Sequence, residues 1–277
     1  DIDRFLDCGD DDFSFSLPGV SRFRVSTYKQ RSSLAAVIRV VTFDLPDPEK
    51  LGLPSVMMDL ALRKKGMVLV TGPAGSGKST SLACMIDRIN QTRNSHIITL
   101  EDPIEFLHRH KKSIVSQREI AIDTQDYLSA LRACLRQAPD VILLGEMRDH
   151  ETIQTAMTAA EMAQLLFSTL HTTGASSTVD RIIDAFPANQ QRQIRIQLSM
   201  VLQAVVSQQL VPTVDGGVVP AFEVMIANTA IRNLIREAKT HQMDSVIAAG
   251  AAEGMRTMDQ SLFDLVASGQ VARETAL

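Results

Sequence analysis

Tryptophan is absent, aromatic residues make up 4% of the chain, and no long basic tract accompanies them. Surfaces for single-stranded nucleic acid stack bases on aromatic rings inside a positive groove. Both parts of that apparatus are missing. The formal net charge of −4 over 277 residues agrees, and no nucleic-acid partner is expected. Cysteine is scarce too: Cys8, Cys84 and Cys134 lie far apart without a C-x-x-C pair. This excludes a disulfide framework and a zinc module, and predicts reduced core thiols in a cytoplasmic compartment. No apolar run approaches the ~18 residues of a membrane span. No signal peptide is visible; the chain opens Asp1-Ile2-Asp3-Arg4 without an initiator Met and reads as the remnant of something longer. An N-K-x-D guanine-reading motif is also absent, which argues against a GTP switch.

What is present is a phosphate-binding loop. Gly72-Pro73-Ala74-Gly75-Ser76-Gly77-Lys78-Ser79-Thr80 follows the apolar run Met67-Val68-Leu69-Val70 and opens onto the helical stretch 81–86. Glycines let the backbone curl so that successive N–H groups and a helix N-terminus point at phosphate oxygens. Lys78 then reaches the β- and γ-phosphates of ATP, and the Ser79 hydroxyl is the candidate Mg²⁺ ligand. From average composition the bare pattern arises by chance in roughly one chain of this length in a hundred. The strand–loop–helix setting lowers that further.

The chain divides in two. Residues 12–43 alternate apolar and polar, with a turn expected at Pro18-Gly19, and read as an antiparallel sheet fragment. Asp44-Leu45-Pro46-Asp47-Pro48 is turn-rich. Beyond it, apolar runs at 67–71, 96–100, 141–144 and 165–170 alternate with helical segments, which predicts a parallel sheet covered on both faces. After about residue 189 the pattern reads as mostly helical, broken by a hairpin at 211–226.

Three polar clusters sit at the ends of these runs. Glu146 ends Asp140-Val141-Ile142-Leu143-Leu144-Gly145-Glu146, at the sheet edge where doubly wound folds bind ligands. It is placed to orient or deprotonate water or to reach Mg²⁺ through one, although an acid there also suits a helix start. Glu101, Asp102 and Glu105 crowd five residues, an arrangement that calls for a nearby cation. Spacing leaves their roles open. Ser168-Thr169-Leu170-His171-Thr172-Thr173 places His171 where it could sense a γ-phosphate.

These segments, G-P-A-G-S-G-K-S-T, I-T-L-E-D-P-I-E-F, D-V-I-L-L-G-E-M-R-D and T-L-H-T, resemble the secretion ATPase superfamily in order and spacing. The resemblance is nearest to its PilT/PilU branch, the type IV pilus retraction ATPases. It extends over Asp12-Phe13-Ser14-Phe15, Arg22-Phe23-Arg24-Val25 and residues 230–237. It implies an α/β fold: a RecA-like P-loop ATPase domain with a helical C-terminal part over 51–277, a linker at 44–50, and a partial PAS-like antiparallel domain at 1–43. By motif position it implies that Glu146 is catalytic, that Glu105 and His171 are the acid and histidine of their motifs, and that Arg24 and Arg39 reach nucleotide phosphates. Arg31 aligns less cleanly. The resemblance further implies a homo-hexamer at the cytoplasmic face of the inner membrane. Its implied partners are a pilus platform protein, a paralogous retraction ATPase and peripheral membrane contact. Pilus assembly or type II secretion is the alternative within the superfamily, and a nucleic-acid translocase the one outside it.

Departures from the family pattern are local. Ala160-Glu161-Met162-Ala163-Gln164 replaces the usual A-E-T-G-H, losing a glycine and a histidine, and Ala74 stands where Thr is usual. In the stretch 230–239, Ile231, Leu234, Ile235 and Ala238 form an apolar stripe beside the cations Arg232, Arg236 and Lys239. Either a solvated surface helix or a partner-binding face fits that pattern.

Overall fold

The computed structural model describes residues 2–17, 20–41 and 43–276. The turn expected at Pro18-Gly19 lies outside them. The alternation read over 12–43 falls on an antiparallel sheet, β1 (Asp10–Leu17), β2 (Ser21–Gln30) and β3 (Ser33–Val41), in the order β1-β2-β3. Arg31 and Ser32 connect β2 to β3 with φ of 47° and 61°, the doubly left-handed pattern of a two-residue hairpin turn. Phe15 and Phe23, direct partners across β1 and β2, stack with centroids 5.1 Å apart.

The second sheet contains β4 (Gly66–Thr71), β5 (His96–Glu101), β6 (Ile114–Glu119), β7 (Val141–Leu144), β8 (Leu165–Leu170), β9 (Leu202–Pro212) and β10 (Val218–Ile226), ordered β10-β9-β4-β8-β7-β5-β6. Only the β9–β10 pair is antiparallel. Successive residues of each inner strand enter opposite cores. Met67, Leu69, Ile98, Leu100, Ile142 and Leu166 face one; Val68, Val70, Ile97, Val141, Leu165 and Phe167 face the other. Each such side chain contributes about 1.5–3 kcal/mol by burial. The helix Lys78–Thr92 lays Leu82, Met85, Ile86 and Ile89 into the second core, an i, i+3, i+4, i+7 stripe that fixes the start of the helix at the sheet edge.

Two elements depart from the expectation. The stretch after 189 is not mainly helical up to residue 211. The helix Ala188–Val201 runs directly into β9 at Leu202, and β9 then pairs with β4. No Gly or Pro marks that junction, and buried Leu202, Ala204, Val205 and Val206 carry the strand into the sheet. β6 had no apolar signal because it is an edge strand in which Val115 is the one buried hydrophobe.

The helix expected at 230–239 spans Thr229–Arg236. Ile231 and Ile235 are buried, whereas Ala238 lies beyond the helix at φ 57°. Its cations are engaged. Arg232 donates to the carbonyls of Ser199 and Met200 at the end of the neighbouring helix, a favourable site for a cation. Arg236 bonds Ser199 and Asn233, and Lys239 pairs with Glu237.

Ala163 sits at φ 77°, in the left-handed region that disfavours a Cβ by roughly 1–2 kcal/mol. We expect Ala163→Gly to stabilise the fold by about 1 kcal/mol. A urea unfolding midpoint at or below that of the parent chain would show that the surroundings already relieve the strain.

Candidate functional site

The loop 72–80 leaves the carboxyl end of β4 and enters the helix Lys78–Thr92. Its tightness comes from two glycines. Gly72 has φ 139°, and a Cβ there would lie 2.1 Å from the Gln208 carbonyl; Gly77 has φ 88°, and a Cβ there would lie 2.8 Å from Gln208 Nε2. Gln208, on β9, is therefore the floor of the loop, and its Oε1 also accepts from Ser81 Oγ at 2.7 Å. No side chain caps the helix at Gly77, so its first N–H groups remain directed at the loop mouth. Lys78 is buried, and its Nζ donates to the carbonyls of Gly72 and Pro73 at 2.8 Å each. Desolvation lowers its pKa, while the charges of Glu105 and Glu146 oppose that fall.

The strand ends converge on this lysine. Ser79 Oγ donates to Glu105 Oε1 at 2.9 Å. Glu146 follows β7 with its side chain 13% exposed, ion-paired to Arg148 and 3.6 Å from His171 Nε2. Thr169 Oγ1 donates to the Gly145 carbonyl at 2.5 Å, tying the end of β8 to the turn that carries Glu146. Glu101 is pushed up to about 7 by desolvation, against the hydrogen bond from Gln117 Nε2 at 3.3 Å. Together these groups line a cleft of about 320 Å³ that includes Ala74, Gly75, Lys78, Ser79, Glu105, Glu146 and His171. On the loop's other side Gly77, Thr80 and Ser81 border a hollow of about 440 Å³ with Leu51, Leu210, Val219 and Pro220. Pro73 is exposed and Ser76 buried within the loop itself.

Arg24 and Arg39 are direct partners across β2 and β3. Neither lines the cleft. Arg24 borders an adjoining hollow that shares Asp102 with it, and Arg39 is exposed. The arginine that bridges the two sheets is Arg22, bonded to Glu119 at 3.1 Å. Reasoning from residues also passed over Gln208, Arg148 and Tyr127. Arg148 stands inside the D-V-I-L-L-G-E-M-R-D segment and could have been weighed there. Gln208 carries no sequence signal, since only the fold brings it under the loop.

Fold and cleft define a P-loop ATPase. The chain matches the family model for type II/IV secretion system proteins over residues 9–257 and belongs to that family. It is 54% identical over 266 residues to the twitching motility protein of Neisseria gonorrhoeae, covering 96% of this chain and 71% of the relative. To the type IV pilus retraction ATPase PilT of Pseudomonas aeruginosa it is 50% identical over 276 residues, covering 100% of this chain and 79% of the relative. The crystal structure of the pilus retraction motor PilT with bound ADP superposes with a TM-score of 0.93 at 51% identity, over 100% of this chain and 79% of that one.

We expect Lys78→Ala to abolish hydrolysis and weaken ATP binding, because a buried cation at the mouth of the phosphate loop is lost. Titration with a fluorescent ATP analogue beside a phosphate-release assay reads both. Turnover at the parent rate would mean the loop has no catalytic part.

Proposed function

We propose that this chain hydrolyses ATP to drive type IV pilus retraction, and hence twitching motility. The observation that carries the reading is the convergence of Lys78, Ser79, Glu105, Glu146 and His171 on one cleft beneath the phosphate loop. Likeness to retraction ATPases over nearly the whole of this chain supports the choice of work done. In this reading the amides of residues 74–80 and the Lys78 ammonium hold the triphosphate, while the hollow beside Thr80, Leu210 and Pro220 takes the base and ribose. Glu146 orients and deprotonates the attacking water.

The site suits Mg²⁺. Among the described residues no group of three or more His, Cys, Asp or Glu side chains forms a metal cage, and Mg²⁺ commonly keeps its waters and binds through a hydroxyl or carboxylate plus substrate phosphates. Ser79 would hold it directly, with Glu105 at 2.9 Å from that hydroxyl supporting it through water. Its chemistry there is neutralisation of charge on the phosphates.

His171 would register loss of the γ-phosphate, and its position 3.6 Å from Glu146 supports that reading. Arg24 and Arg39 belong to the small sheet, and closure of that sheet on the cleft would carry them toward the phosphates, where they would stabilise charge on the transferred group. The proposed working unit is a homo-hexamer of chains divided near residues 44–50, acting at the inner-membrane face of the pilus base on a platform protein and beside a paralogous ATPase. No helix among the described residues is long and apolar enough to cross a membrane; the membrane contact in this reading is peripheral.

Glu146→Gln keeps the shape but loses the base. The expected result is nucleotide binding intact, turnover down by about 10²-fold or more, and twitching lost in cells carrying the variant. If Glu105→Gln abolishes turnover while Glu146→Gln is nearly normal, the roles of the two acids are exchanged.

A further inference from the structure

Residues 102–113 join β5 to its parallel neighbour β6 without a helix, and this irregular connection brings Glu105, Phe106 and His108 to the wall of the cleft. Gln117 lies on β6 opposite Thr99 of β5. Its side chain belongs to neither core and reaches back to the connection. Oε1 accepts from the His108 backbone N–H at 2.8 Å, and Nε2 donates to the Phe106 carbonyl at 2.9 Å and to Glu101 Oε1 at 3.3 Å. The His108 N–H can only donate, so it fixes which end of the amide is oxygen. All three bonds then have the correct polarity. The β5–β6 ladder pairs backbone from His96 to Glu101 with Ile114 to Glu119, so strand pairing does not depend on this amide.

We propose that Gln117 is a positioning residue for hydrolysis, holding the acid-bearing segment 101–108 at the height where Glu105 meets Ser79. This rests on the reading of Glu105 and Ser79 as part of the nucleotide machinery. One side chain grips the segment on both sides of residue 107 and at the carboxylate where it begins. A carboxylate in place of the amide would set an acceptor against the Phe106 carbonyl and the Glu101 carboxylate, reversing two attractions. The same amide draws the Glu101 carboxyl toward its ionised form against desolvation, so the link is electrostatic as well as steric.

Gln117→Ala, Gln117→Glu and Glu105→Gln, each in the full chain, separate the possibilities. In Gln117→Ala we expect kcat to fall about 10- to 100-fold, with KM for MgATP and the thermal unfolding midpoint near parent values, as for displacement of a catalytic group by about an ångström. Gln117→Glu should be the weaker enzyme near pH 8 and recover toward about pH 6, because a protonated carboxyl again offers a donor. A purely structural glutamine would make the thermal unfolding midpoint of Gln117→Glu rise and fall with kcat over that pH range, whereas a positioning one moves kcat with the midpoint unchanged. Parent kcat in Gln117→Ala, a pH-independent defect in Gln117→Glu, or kcat, KM and midpoint all moving together would each overturn the proposal. Full turnover in Glu105→Gln with loss in Gln117→Ala would remove Glu105 from the machinery and overturn the proposal with it, because Gln117 would then act on something other than the Glu105–Ser79 contact. Parent turnover in both variants would sink both readings.

Discussion

A strand buried on both faces cannot carry a charge along its length, so β4, β5, β7 and β8 deliver theirs where they stop. Val141 to Leu144 are apolar throughout, and the first polar residue with room is Glu146. β5 releases Glu101, Asp102 and Glu105 in the same way, and β8 releases His171. Because the strands run parallel, all these ends lie on one edge of the sheet. The phosphate loop leaves the same edge. Four motifs separated by up to a hundred residues meet there because burial forbids their side chains anywhere earlier in the strands.

Convergence alone would leave the loop slack. Its curvature is set by β9, whose Gln208 carbonyl comes so close to Gly72 that no Cβ fits, and whose amide packs under Gly77. The loop thus depends on a residue more than a hundred positions downstream, on a strand that is paired to β4 in the sheet. With its backbone pressed from below, the carbonyls of Gly72 and Pro73 hold the Lys78 head at the mouth. Lys78 lies between that ledge and the charges of Glu105 and Glu146, which offset part of its desolvation.

That dependence explains what could be read from the chain and what could not. Four of the five inner strands announced themselves because a run buried on both faces is apolar at most positions, as at Leu165 to Phe167. The functional side chains followed, since each is the polar residue that ends such a run. β6 was silent because an edge strand needs no such run; its Ser116, Gln117 and Arg118 are polar. The start of β9 was silent for another reason: it continues a helix without a breaker, and its glutamines blur the strand pattern. Arg232 misled in a third way. A cation on a helical stripe looks solvated in a projection, yet its guanidinium is occupied by carbonyls of a helix thirty residues away. Local pattern carries information about faces and ends of elements, and none about which distant backbone meets them.

The join between the two sheets rests on a similar distant meeting. Glu119, 4% exposed at the end of β6, accepts from Arg22 Nη2 at 3.1 Å and from Ser14 Oγ at 3.1 Å. Its own N–H donates to Asp123 at 2.8 Å. Desolvation cancels much of the attraction in such a pair, and Arg22 Nε remains buried without a partner, so the pair adds little net stability. Removing Arg22 is far costlier, about 3–5 kcal/mol, because Glu119 is left buried without its cation. The consequence is directional: the pair fixes where the small sheet sits without making the whole much more stable. Arg24 lies two residues further along β2 and so points from the same face. Once Arg22 is seated on Glu119, Arg24 is carried to the hollow it shares with Asp102, one residue from Glu101 and on the rim of the cleft. Arg39 pairs with Arg24 across the strands, and its position follows from the same anchor. A guanidinium and a carboxylate outside all four nucleotide motifs thereby set the distance between the arginines of one sheet and the phosphate loop of the other.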